Sequence, residues 1–87
     1  MKKEIAKILK KAIKKEGFEC SEDEIINALE IPPKIELGDY AFPCFFLSKR
    51  FGIAPFLIAT KIRTNIGFDK GNGFNGIETR GPYINFF

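Results

Sequence analysis

Hydrophobic residues recur along the first two thirds of the chain at spacings that predict three helices. In 2–16 the apolar side chains share one face of a helix and lysines occupy the other. Segment 43–51 carries aromatic residues over two turns, and Pro43 suits the first helical position. Segment 55–66 places isoleucines in one stripe. We therefore predict helices near 2–16, 43–51 and 55–66.

The hydrophobic residues of the stretch SEDEIINALEIPP fit either a period of 3.6, as in a helix, or a period of 2, as in a strand. SEDE at 21–24 is the spelling of a capping box, which begins a helix. The residues after it also fit a period of 2, because Leu29 and Ile31 flank the polar Glu30 and prolines commonly end a strand. We predict a short turn followed by a strand near 26–31.

The end of the chain, GIETRGPYINFF, alternates as a β-hairpin does. Gly81 and Pro82 suit a two-residue loop of type II′, because proline excludes the positive φ that type I′ requires at the second position. The loop predicts strands near 76–80 and 83–87. Its register pairs Arg80 with Tyr83, Thr79 with Ile84, Glu78 with Asn85 and Ile77 with Phe86.

This register separates two faces of the hairpin. Ile77, Ile84 and Phe86 face the core, whereas Glu78, Arg80, Tyr83 and Asn85 face outward. An aromatic ring, an amide and a guanidinium are the groups that hold an unstacked nucleobase. Tyr83, Asn85 and Arg80 are therefore candidate RNA-binding residues, although such a trio is also ordinary strand surface.

Together these elements predict one α/β domain of the α+β type over residues 1–87. A small antiparallel sheet of three to four strands carries about three helices packed on one face. A chain of 87 residues has the size of a single domain, and a hydrophobic content of 45% is sufficient for a core.

The charge is basic, then acidic, then basic again, and it sums to +3. Residues 1–15 hold seven lysines. This pattern suits a polyanionic partner, and solvated surface also explains it. Lys49, Lys61 and Arg63 are predicted as secondary phosphate contacts. A basic amphipathic helix can bind membranes, but without an aromatic anchor, packing on a core explains 2–16 better.

The chemistry available to this chain is narrow. It has no histidine, and Cys20 and Cys44 are too few and too far apart for a zinc site. General acid–base catalysis would rest on carboxylates alone. No apolar run could span a bilayer and no signal peptide begins the chain. We expect no metal, no cofactor, no small-molecule substrate, no catalysis by this chain itself and a cytoplasmic location.

Two segments, GDYAFPCF at 38–45 and GPYINFF at 81–87, resemble the best-marked motifs of the N-terminal domain of arginyl-tRNA synthetase. The order and prolines of the segment IEIPPKIELGDYAFPCFFLSKRFGIAPFLIATKI agree as well, so the likeness covers nearly the whole chain. It implies an α/β domain that contacts tRNA at the outer corner, where the D-loop and TΨC-loop meet. It assigns Tyr83 and Asn85 to a D-loop base, and GDYAF to shaping a turn that brings Phe42 into the core.

The chain departs from the family pattern in several places. Arg80 stands where relatives often have a small or neutral residue, and the glycine-rich loop 69–76 has no clear counterpart. The class I catalytic motifs are absent, so the chain is either a fragment of a longer ligase or a freestanding relative. The implied partners are tRNA and a synthetase catalytic domain. The alternative is a protein–protein docking module that keeps the fold without RNA binding.

Overall fold

A computed structural model describes residues 1–67 and 74–87, and its first element is the helix α1, Lys2–Lys15. Ile5, Leu9 and Ile13 follow one face at helical spacing and are at most 1% exposed. The helix ends at Lys15, Glu16 is its C-cap, and Gly17 follows with a φ of +83°. The predicted helix is confirmed.

The second element is a helix, α2, Glu22–Ala28, and the predicted strand near 26–31 is wrong. Ser21 accepts a hydrogen bond from the Glu24 amide, and the Glu24 carboxylate accepts one from the Ser21 amide, which completes a capping box. Ile25 and Leu29 then enter the core against α1. Beyond α2, one isolated bridge between Glu30 and Ala41 is what remains of strand pairing in this segment.

The GDYAFPCF segment forms a strand before it forms a helix. Strand β1 covers Tyr40–Pro43 and helix α3 covers Phe45–Phe51, so the prediction that Pro43 begins the helix is wrong. Pro43 is instead the last residue of an edge strand, where a missing N–H is tolerated. A 3-10 turn, Ile35–Leu37, precedes β1. Helix α4, Pro55–Ile66, agrees with the prediction and has its proline at the start.

The predicted hairpin is confirmed with its register. Strand β2 is Ile77–Arg80 and strand β3 is Tyr83–Phe86, and all four predicted residue pairs are present. Gly81 has a φ of +58°, the sign that the first position of a type II′ turn requires. Of the glycine-rich loop 69–76, residues 69–73 lie outside the described residues.

The sheet has the order β1-β3-β2, with all pairs antiparallel, so the strand at the end of the chain is the central one. Helix α4 packs on β2 and β3, α2 packs on β1, and α1 packs on α2 and α4. Phe42, Ile84 and Phe86 enter the core from the sheet and are fully buried. The architecture is α+β, as predicted. No helix in the described residues is long and apolar enough to cross a bilayer.

Candidate nucleic-acid interface

Tyr83 lies at the surface of the central strand as one half of an aromatic pair. Its ring is partly exposed and meets Phe45 edge to face, with centroids 5.8 Å apart and planes at 85°. Phe45, the first residue of α3, is 48% exposed. The prediction that Tyr83 faces away from the core holds. Phe45 was missed as a neighbour, although it is the last residue of the GDYAFPCF motif.

Asn85 is buried, and the prediction that its amide is presented outward is wrong. The residue is 2% exposed, and Nδ2 donates to the Leu37 carbonyl at 2.6 Å. Alternation along β3 does place it on the face opposite Ile84 and Phe86. The turn at Ile35–Leu37 covers that part of the face, however, and a pattern along one strand carries no information about what lies over it.

The Asn85 amide also holds an unused acceptor. Its Oδ1 is buried and has no hydrogen-bond partner among the described residues. Because the Leu37 carbonyl can only accept, the amide must keep Nδ2 toward it, so the oxygen is oriented elsewhere. A buried acceptor left unpaired costs about 1–3 kcal/mol. The group is therefore suited to accept a hydrogen bond from an N–H donor that can reach it.

The GDYAF segment holds this covering turn against the last strand. The Asp39 amide donates to the Phe86 carbonyl at 2.8 Å. Gly38 has a φ of +94°, and a Cβ at that position would lie 2.6 Å from the same carbonyl oxygen. Only glycine allows this close approach. The structural role expected of GDYAF agrees with these contacts and with the complete burial of Phe42.

Arg80 lies beside Tyr83 as its partner across the hairpin. Its guanidinium donates to the Glu78 carboxylate at 3.2 Å, and both side chains are 53% exposed. An exposed pair of this kind contributes about 0–1 kcal/mol and exchanges readily with solvent or with another anion. Arg80 is therefore accessible at the rim of the Tyr83–Phe45 pair.

The three predicted phosphate contacts are distributed over different parts of the fold. Lys49 is exposed near the end of α3, and the Lys61 ammonium lies 3.9 Å from the Glu16 carboxylate. The Arg63 guanidinium donates through Nε to the Ile77 carbonyl at 2.6 Å and through Nη1 to the Gly67 carbonyl at 3.1 Å. The bond to Ile77 joins α4 to β2, the bond to Gly67 lies at the end of α4, and together they give Arg63 a structural role.

The thiols are buried within the hydrophobic core. Cys20 and Cys44 are both free and at most 5% exposed. Burial raises the pKa of both thiols, that of Cys44 to about 12. In the described part of the chain, no group of three or more acidic, cysteine or histidine side chains could hold a metal ion. The accessible groups on the outer face of the hairpin are thus the Tyr83–Phe45 ring pair and the Arg80 guanidinium.

The family model for the arginyl-tRNA synthetase N-terminal domain matches residues 1–87, the whole chain. The chain belongs to this family. A relative, the arginine–tRNA ligase of Clostridium botulinum, is 51% identical over 73 residues, which are 84% of this chain and 12% of the relative. The ligase of Clostridium beijerinckii is 44% identical over 86 residues, or 99% of this chain and 14% of the relative.

The fold has a counterpart among solved structures. The arginyl-tRNA synthetase of Thermus thermophilus superimposes with a TM-score of 0.75 at 22% identity, over 99% of this chain and 13% of that one. This chain thus spans roughly an eighth of the length of the ligases that it matches. The matched family is an N-terminal domain, in agreement with the expectation that the chain by itself is not catalytic.

Proposed function

We propose that this chain is a cytoplasmic tRNA-binding accessory domain that contacts the D-loop at the outer corner of tRNA. The observation that carries the proposal is the partly exposed Tyr83 ring, which lies on the strand face that also holds the unpartnered Asn85 oxygen. Similar chains are parts of arginine–tRNA ligases, and the domain would serve arginyl-tRNA aminoacylation by positioning the tRNA.

Tyr83 supplies the stacking surface for an unpaired base. Its aromatic neighbour Phe45 holds the ring from the side, so the ring loses little freedom when a base binds. Stacking of this kind contributes about 1–3 kcal/mol for each base.

Asn85 reads the edge of that base through Oδ1. Because this atom is buried, the turn at Ile35–Leu37 must shift for a base N–H to reach it. The turn contributes no buried residue, and Ile35 is 92% exposed, so the shift is opposed mainly by the Asn85–Leu37 bond and by the Asp39–Phe86 bond beside the turn. A base donor would also remove the cost of the unpaired acceptor.

Arg80 contacts a phosphate next to the bound base after leaving Glu78. Lys49 and, after release from Glu16, Lys61 add weaker contacts. Neutralised phosphates release counterions, so tRNA affinity should fall as salt rises. With few basic groups at this surface, binding by the isolated domain should be weak.

A titration of Tyr83 and Asn85 variants tests the proposal. Tyr83→Phe keeps the stacking surface and should bind full-length tRNA like the parent. Tyr83→Ala should lose about 1–3 kcal/mol, and this loss should disappear with tRNA altered in the D-loop. Asn85→Ala should reduce discrimination between bases. Circular dichroism controls for folding, since Asn85→Ala also removes the bond to Leu37. Equal binding of both RNAs by Tyr83→Ala and the parent would refute the base site.

Docking to protein is the second candidate function. Ile31 and Ile35 are 74% and 92% exposed, which is unusual for two large apolar side chains so close in sequence. A synthetase catalytic domain or another protein could cover them. This function would be favoured if tRNA binding were undetectable at low salt while a purified ligase catalytic domain bound and an Ile31→Ser/Ile35→Ser variant did not.

A further inference from the structure

Helix α1 carries a straight row of lysines that the proposed base site does not use. We define it as the lysine stripe, Lys3, Lys7, Lys10 and Lys14. At 3.6 residues per turn these four positions fall within an arc of about 60°. Around the helix axis the arc lies about 100–160° from Leu9, which is fully buried. All four lysines are exposed, so the stripe is the solvent side of the helix.

The charge of the stripe is not neutralised within the described part of the chain. None of its four ammonium groups forms an ion pair there, and the helix's single acid, Glu4, bonds to the amino group of Met1 at 2.9 Å. The pKa of Glu4 is lowered first by this bond, which keeps the carboxylate charged and engaged. Four cations without an ion pair on one line produce a positive potential along α1.

Acidic residues lie near both ends of the stripe: Glu4 interacts electrostatically with Lys7 at one end, and two more acids lie near the other. Lys10 and Lys14 line an open depression of about 510 Å³ that Glu19 and Glu24 also line. Glu24 is held by the Arg50 guanidinium, so Glu19 is the acid left to oppose the lysines there. The four lysines therefore outnumber the acids beside them, Glu4 and Glu19, and the stripe keeps a net positive charge.

We propose that the lysine stripe binds the phosphate backbone of RNA without reading its sequence. Lysine ammoniums are point charges on flexible stems, which suit phosphates and carry no base preference. A rise of 1.5 Å per residue places Lys3 and Lys14 about 16 Å apart along the helix, long enough for several phosphates. The stripe contains no aromatic residue that would stack a base.

A membrane surface fits this helix less well than RNA. A helix that lies on a bilayer buries its apolar face among the lipid chains. In α1 that face is already used, because Ile5, Leu9 and Ile13 are at most 1% exposed within the protein core. Only the charged side of α1 is available to a partner, and charge alone gives the salt-sensitive attraction typical of nucleic-acid backbones.

The stripe is a separate surface from the Tyr83 site. Helix α4 packs between the two, against α1 on one side and against β2 and β3 on the other. An RNA that contacts both must therefore present two different stretches of its backbone. The choice of tRNA as that RNA rests on the proposed function, whereas the charge argument for phosphate does not.

The test compares two quadruple variants of the stripe in binding to tRNA between about 50 and 200 mM salt, a range across which affinity from phosphate contacts falls steeply. Replacing all four lysines by Gln should lower the slope of log K against log salt by about 3 and weaken binding more than tenfold at the low-salt end. Replacing all four by Arg keeps the charge and should bind like the parent. Lys34→Gln, an exposed lysine outside α1, should change the slope by less than about 1.

The outcomes separate this inference from the base site. Tyr83→Ala removes no charge, so it should leave the salt slope unchanged, and its loss of affinity should add to that of the Gln variant. A lower slope with no Tyr83 effect would support the stripe and refute the base site. A Gln variant with the parent's slope would overturn the stripe, whatever Tyr83 does. Binding to phosphatidylglycerol vesicles that depends on the stripe, without an RNA effect, would overturn it in favour of a membrane.

Discussion

The two ends of this chain are both anchored in the core, but by different kinds of contact. Helix α1 forms its backbone hydrogen bonds within itself and needs the rest of the protein only to cover Ile5, Leu9 and Ile13. Strand β3 has no backbone hydrogen bonds within itself and takes its partners from β1, from β2 and from Asp39, which directly precedes β1. Order at a terminus therefore depends on local bonds at one end and on long-range pairing at the other.

The outer surfaces of the two ends differ in the same way. The solvent side of α1 carries the exposed side chains of the lysine stripe. The outer face of β3 is shared between the accessible Tyr83 and the covered Asn85. A surface of the first kind suits sequence-independent attraction, and one of the second kind suits recognition of a single group. The comparison leads to four predictions.

The largest loss of stability is expected from truncating one buried side chain near each end of the chain. Phe86→Ala should lower the free energy of unfolding by about 3–5 kcal/mol, because Phe86 is fully buried in the central strand. Leu9→Ala, its counterpart in α1, should cost about 2–5 kcal/mol and fall below Phe86→Ala. Urea denaturation measures both. A greater loss for Leu9→Ala would mean that the last strand is not the stronger anchor.

Next in size is the close approach at Gly38. Gly38→Ala should cost about 3 kcal/mol, since a methyl group meets the Phe86 carbonyl and the residue occupies a backbone region reserved for glycine. Gly17→Ala, just after α1, is the matched control. Gly17 also has a positive φ but nothing within 4 Å, so strain alone should cost about 1–2 kcal/mol. Equal losses in thermal denaturation would contradict the packing of the covering turn.

Hydrogen exchange tests the comparison without a mutation. The amides of Ile84, Asn85 and Phe86 should be protected close to the level of global unfolding, because β3 is the central strand. The first turn of α1 should exchange by local fraying at far smaller cost. Coil-like exchange of 83–87 would contradict both the hairpin and its register.

The smallest effect is expected from acid. The bond to the amino group of Met1, together with a backbone bond, lowers the pKa of Glu4 below its usual value of 4.5. Because the folded-state pKa is depressed, the contribution of Glu4 to stability is present above pH 4.5 and is lost as pH falls through the folded-state value. Amide NMR spectra between pH 6 and about pH 3 should show the first turn of α1 changing. Strand β3, which has no acid, should not respond at Glu4's titration, and Glu4→Gln should abolish the change in α1.

Much of the fold could be predicted because the hydrogen bonds of several elements connect residues that are close in sequence. The helix α1 follows from one apolar face and its lysines, and the hairpin register follows from Gly81-Pro82 and two short alternating runs. Residues 21–31 were misassigned because their pattern allowed two periods. The capping box and the packing of Ile25 against α1 decided for a helix, and packing of that kind cannot be read from the segment alone.

The candidate site was predictable only in part. Tyr83 lies where alternation placed it, with Arg80 as its neighbour across the hairpin. Asn85 lies on the predicted face of the strand but under a turn contributed by residues 35–37. Arg63 was predicted as a secondary phosphate contact, and its guanidinium bonds to the backbone carbonyls of Ile77 and Gly67, which the sequence pattern did not indicate. For Asn85 and for the bond between Arg63 and Ile77, a segment outside the residue's own helix or strand supplied the partner.

By itself, the sequence determined the elements whose hydrogen bonds connect near neighbours: α1, α4 and the β2–β3 hairpin. It also determined family membership, because GDYAFPCF and GPYINFF specify a pair of segments that meet in this fold. Tertiary structure decided that β1 pairs with β3, that the last strand is central and that Asn85 is covered. The physical reason is that burial and strand pairing are properties of two segments together, and neither segment encodes where the other will lie.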